Sequence, residues 1–179
     1  MAVRKRRSVA LSIALVGIMA ASIECVKLAL AFLPNVEAVT LLTALYSFSF
    51  GWYGFAASVV FVCIEPLIWG FGTWFISYLI YWPLVAAVFF LFGRLKIKNR
   101  VSVTLTAVAL TLFFGVLTSF VDVGLFSGSF DKLLYRFGIY YARGIAFYAV
   151  QTVTNAILFP LLFPLLSEKL LQLRQKMLG

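Results

Sequence analysis

Residues 4–37 read RKRRSVALSIALVGIMAASIECVKLALAFLPNVE, and this stretch decides the fold. A basic cluster, Arg4-Lys5-Arg6-Arg7, opens it. A long apolar run follows, interrupted in charge only at Glu24 and Lys27, and it ends in a polar knot, Leu33-Pro34-Asn35-Val36-Glu37. At ~1.5 Å per residue, such a run crosses the ~30 Å hydrocarbon layer of a membrane as a helix. The basic-then-apolar order resembles a secretory leader. The run is longer than a leader core and has no evident small-x-small site before polar sequence, so a retained helix is predicted. Small residues Ala10, Ala14, Gly17 and Ala21 fall within about 60° of one another at helical spacing. A second helix can approach such a stripe closely. That helix could come from the same bundle or from a partner protein; the spacing fits both.

Composition carries the same message over the whole chain. Of 179 residues, 64% are hydrophobic and 12% charged, against roughly 25% charged in a soluble domain. Mean hydropathy is +1.06. The expectation is an all-α integral membrane protein, one domain over residues 1–179, with no room for a separate soluble unit. The net charge of +9 does not point to nucleic acid. Its basic residues gather beside apolar runs, where they set topology and meet anionic headgroups. There is no histidine, which removes imidazole acid/base chemistry and most metal sites. Cys25 and Cys63 lie in apolar runs without metal-like spacing and read as small hydrophobes.

Six transmembrane helices are predicted, at about 8–33, 36–51, 54–70, 73–93, 101–126 and 136–163. Gly51-Trp52-Tyr53-Gly54 and Gly70-Phe71-Gly72 supply tight breaks, and Ser127-Gly128-Ser129 opens a loop. This count places both termini, the 51–54 turn and the 94–100 loop on one side. Eleven of the fifteen basic residues collect there, and the positive-inside rule makes that side cytoplasmic. Pro160 and Pro164 are expected to kink or end the last span. Glu168–Met177 then reads as an amphipathic stretch on the membrane surface.

Ionisable groups within spans are costly and by default face the bundle interior or a cavity. Glu24 and Lys27, one turn apart, can pair with each other. Glu65, Asp122, Arg143, Gln151 and Asn155 add polarity, and Trp69, Trp74, Tyr78, Tyr81 and Trp82 cluster near one turn. Nearly all of this lies in the predicted outer half. An outward-facing pocket with aromatic walls is therefore expected, rather than a continuous pore. Its candidate binding residues are Asn35, Glu37, Glu65, Trp69, Trp74, Tyr78, Asp122, Tyr140, Arg143 and Asn155. No catalytic residue, metal ligand or cofactor is expected.

The basic start, the A-x-x-x-A of the first helix, six short-linked spans and the segment LALAFLPNVEAVTLL together resemble the substrate-binding S components of energy-coupling factor (ECF) vitamin transporters. The resemblance covers essentially the whole chain. It implies a subunit of the prokaryotic cell membrane that binds one vitamin from outside and topples to deliver it. It also implies partners: a transmembrane coupling protein and two cytoplasmic ATPases. The partner-binding face would be Ala10, Ala14 and Gly17. The Leu-Pro-Asn-Val-Glu segment looks most like the cobalamin branch. Pantothenate, riboflavin, folate and queuosine-type ligands stay open, and an anionic ligand would favour Arg136 and Arg143 as anchors.

Two other classes compete with this reading. A small membrane enzyme acting on a lipid would use Glu65 and Asp122, although its acids are expected at closer helical spacing. A purely structural subunit would have little reason to bury Glu65, Asp122 and Arg143.

Overall fold

A chain this apolar must satisfy its backbone polar groups within each segment, and the helix does so. The computed structural model describes residues 9–126 and 131–178. Among the described residues there are six helices and no strand: α1 (Val9–Leu30), α2 (Val39–Phe50), α3 (Trp52–Trp69), α4 (Trp74–Leu95), α5 (Arg100–Phe126) and α6 (Leu133–Leu178). The basic cluster 4–7 and the Ser127-Gly128-Ser129 loop lie outside the described residues. Five helices are long and apolar enough to cross a membrane. The architecture is all-α, with the make-up of a multi-pass membrane protein.

The exception is α2. Its 12 residues span only about 18 Å. A helix over 36–51 was expected; it begins at Val39 instead, because residues 31–38 form an irregular segment. α2 is buried nearly all round and packs against α1, α3, α4 and α6. Two glycines permit this. A Cβ at Gly54 of α3 would run into the backbone of Tyr46 and Ser47, and one at Gly93 of α4 into that of Phe48. Gly51 ends α2 with φ 63° and donates its N–H to Ser47 O at 3.0 Å, a backbone state that glycine adopts without penalty. Just past the C-terminal end of α4, Asn99 caps α5: its Oδ1 accepts the Val101 N–H at 2.9 Å.

Of the two outcomes expected at Pro160 and Pro164, a kink or an end, helix α6 does not take the second. It continues through Pro160 and Pro164 as one 46-residue helix, about 69 Å long. The reason is packing around the prolines. Phe159 and Phe163 stack at 5.8 Å and lie against Phe48 of α2 and Phe89 of α4. Beyond them, Leu170, Leu171 and Leu178 pack on the bundle. Arg174 Nη1 donates to Ser49 O at 3.0 Å, supplying one of the last carbonyls of α2 with a donor. The 168–177 stretch is thus docked on the end of the bundle.

The small-residue stripe is resolved as well. Leu15, Met19, Ala20 and Ile23 bury one face of α1, whereas Ala10, Ala14, Gly17 and Ala21 are exposed on the other. Ile13 (67%) and Ile18 (68%) flank the stripe. Among the described residues no helix packs on it.

Candidate functional site

α2 and α3 meet at Gly51, and α3 has 18 residues to the 12 of α2. The far end of α2 therefore stops about 9 Å short of the far end of α3. The 31–38 segment and a cavity fill this gap. Asn35 turns the segment with φ 63°. The cavity is about 560 Å³ and takes walls from all six helices. Lys27 and Leu30 come from α1, Trp69 from α3, Tyr78, Tyr81 and Trp82 from α4, Thr111 and Phe114 from α5, Phe147 and Gln151 from α6. Ala31 and Leu33–Glu37, followed by Val39 and Thr40, complete it. Irregular backbone at this depth is tolerated where it lines a cavity or is buried in protein.

The aromatic wall is continuous. Trp74 meets Tyr78 at 5.1 Å, Tyr78 meets Trp82 at 5.6 Å, and Tyr81 meets Phe114 at 4.7 Å between ring centroids. Such edge-to-face contacts fix ring positions as well as burying area.

Glu37 has a defined structural role in this wall. Its Oε2 accepts the Thr40 N–H at 2.9 Å, and its Oε1 accepts Thr40 Oγ1 and Asn155 Nδ2, each at 2.7 Å. A carboxylate at the start of a helix is favoured by the free N–H groups there. Asn155 Nδ2 also reaches Thr111 Oγ1 at 3.0 Å, so α2, α5 and α6 are tied at one point. Asn155 Oδ1, Trp82 Nε1 and Gln151 Oε1 are buried without a hydrogen-bond partner in the described residues. Trp82 and Gln151 both line the cavity.

Lys27 pairs differently from expectation. It forms its ion pair with Glu65 of α3, not with Glu24 of its own helix. The i,i+3 spacing allowed the local pair, but the packing of α1 on α3 presents a more deeply buried carboxylate. The ammonium also faces the rings of Trp69 at 5.3 Å, Tyr78 at 5.5 Å and Phe61 at 5.9 Å.

Of the expected binding residues, Asn35, Glu37, Trp69 and Tyr78 line the cavity. Glu65 and Asn155 stand directly behind it, through Lys27 and Glu37. The other four lie farther from it. Trp74 backs Tyr78. Asp122 lies about two turns beyond Phe114 on α5, Arg143 about one turn and Tyr140 about two turns beyond Phe147 on α6. Arg143 and Tyr140 are exposed, because the first turns of α6 run past the cavity. Thr40, Thr111, Phe114 and Phe147 were not anticipated as lining. A threonine or phenylalanine in an apolar helix carries no mark of its own that tells pocket from core. Comparison with known proteins finds no matching family model, no matching curated protein and no matching solved structure.

Proposed function

We propose that the chain is the membrane-embedded, ligand-binding S component of an ECF-type vitamin transporter in a prokaryotic cell membrane. It crosses the membrane six times, with both termini cytoplasmic, and α2 crosses with the help of the irregular 31–38 segment. It binds its ligand without turnover, and a coupling protein with two ATPases supplies the energy. The observation that carries this reading is the 560 Å³ cavity at one end of the bundle, walled by aromatics. Its volume and lining are those of small-molecule sites. Trp82 and Gln151 add two polar side chains to its largely apolar wall. The exposed stripe Ala10, Ala14 and Gly17 supports a docking face for the coupling protein.

The Leu-Pro-Asn-Val-Glu segment favours cobalamin. The cavity volume favours the second reading, a vitamin of ordinary drug-like size such as riboflavin or pantothenate, since a corrinoid with its nucleotide tail would project far beyond the walls. The position of Arg143 off the lining weighs against an anionic ligand anchored there. Purification of the protein from a complex medium, followed by mass spectrometry of co-purifying small molecules, tests both. A single vitamin at stoichiometric yield is expected. A preparation that carries none, and binds none from a vitamin panel, overturns the proposal.

A further inference from the structure

A second cavity, of about 580 Å³, lies at the opposite end of the bundle from the first. The first takes Trp69 from the end of α3 and Tyr78 and Trp82 from the first half of α4. The second takes Trp52 from the start of α3 and Phe90 and Arg94 from the end of α4. Trp52 and Trp69 are about 26 Å apart along α3, close to the ~30 Å of a hydrocarbon layer. A helix of that span sets the two cavities at opposite boundaries of the membrane, at the level of the lipid headgroups.

Two guanidinium groups line the second cavity, Arg94 of α4 and Arg174 of α6, and no carboxylate does. The ion pair found among the described residues is elsewhere, between Lys27 and Glu65. Glu168, the acid nearest Arg174 in sequence, lies about 9 Å back along α6 and about 120° around it. Close packing holds the two arginines in place. Gly93 brings α4 against the backbone of Phe48, which sets Arg94 beside the end of α2. The Arg94 guanidinium lies 5.7 Å from the Phe90 ring, and Phe90 meets Trp52 at 5.2 Å. Arg174 uses one of its five N–H donors on Ser49 O. Helix α3 begins at the same cavity, at Gly51, with no side-chain cap, so the positive end of its dipole adds to the two charges.

Two cations and a helix N-terminus with no counter-charge on the lining are complementary to a phosphate. That phosphate could belong to a lipid or be free in solution. The level of the cavity favours the lipid, as does Trp52 at its edge. Its indole is 67% exposed, which suits the membrane–water interface. We propose that this cavity binds the phosphate of an anionic lipid headgroup, held by Arg94 and Arg174. The proposal needs the membrane but no vitamin, so it stands or falls independently of the transport reading.

Native mass spectrometry of the full-length chain tests the proposal. The protein is delipidated in detergent and titrated with phosphatidylglycerol, phosphatidylcholine or inorganic phosphate. One phosphatidylglycerol should be retained per chain, with a preference of roughly tenfold or more over phosphatidylcholine, whose choline adds a cation to a site that already holds two. Arg94→Gln combined with Arg174→Gln should remove the preference. Lys98→Gln combined with Arg100→Gln makes the same change in net charge off the cavity lining and should keep it. Arg94→Gln alone should reduce the preference by roughly fivefold, which keeps the test valid if the double variant does not fold. Absence of a preference in the native protein overturns the proposal. So does a preference that the Arg94 and Arg174 variants keep, or one that both double variants lose equally. Displacement of the lipid by inorganic phosphate at equal concentration would make free phosphate the occupant and overturn the lipid assignment.

Discussion

Asn155 of α6 donates its amide Nδ2 to Glu37 Oε1 at 2.7 Å, across 118 positions of sequence. The same nitrogen bonds Thr111 of α5. This one side chain ties the residue just before α2 to α5 and α6. Asn155→Ala removes the donor from a half-buried carboxylate and a buried hydroxyl, at a cost of about 1–3 kcal/mol. Asn155→Asp should cost more, because it turns a second carboxylate on Glu37. Thermal unfolding in detergent gives the order: native above Asn155→Ala, above Asn155→Asp. An Asp variant as stable as the native protein would show that Glu37 does not depend on this bond.

The glycines of α1 and α3 should respond oppositely to the same change. Gly54 lies where α3 meets the backbone of α2 at Tyr46 and Ser47, with no space for a Cβ. Gly54→Ala must push the two helices apart, at roughly 1–3 kcal/mol. Around Gly17 nothing lies within 4 Å of the added atom. Gly17→Ala should leave the isolated protein as stable or raise it by about 1 kcal/mol through helix propensity. Melting temperatures of the two variants check both signs.

The far end of α6 is a stabilising element by its contacts. Arg174 is exposed apart from its bond to Ser49 O, so Arg174→Ala should cost no more than about 1 kcal/mol. Ending the chain after Ser167 also removes Leu170 and Leu171, which are half-buried against the core and contribute up to about 2 kcal/mol each. The truncated protein should melt clearly below Arg174→Ala. Equal melting would mean that residues 168–178 do not hold the bundle.

Much of this was legible in the sequence, for identifiable reasons. Hydrophobic length marks α1, α3, α4 and α5 to within a few residues, because lipid leaves a helix as the only choice. Gly51 and Gly70 mark breaks because their positive φ suits glycine. The aromatic group at Trp69–Trp82 and the knot at Asn35–Glu37 meet at one cavity. What stayed hidden depends on contacts between helices. Lys27 could choose between Glu24 and Glu65, and only the approach of α3 decides. The persistence of α6 through two prolines rests on Phe48 and Phe89, which lie on other helices. Whether the Ala10 stripe turned inward or outward also depended on where α3 packs, since all faces of α1 are apolar.

The outward stripe and the cavity are two surfaces on one helix, and they should separate under mutation. Ala14 is exposed and lies about 20 Å along α1 from Lys27, the first cavity residue on that helix. Ala31 lines the cavity. Under the proposed function, Ala14→Trp places a large ring where the coupling protein must approach. It should abolish co-purification with that partner and vitamin uptake by cells, while the isolated variant binds its vitamin as the native protein does. Ala31→Trp should do the reverse, filling the cavity and abolishing binding while assembly with the partner survives. Uptake assays, pull-down with the coupling protein and calorimetry of the purified variants separate the cases. If Ala14→Trp weakens vitamin binding as much as Ala31→Trp does, the two surfaces are not independent. If Ala14→Trp transports normally, the stripe is not the docking face.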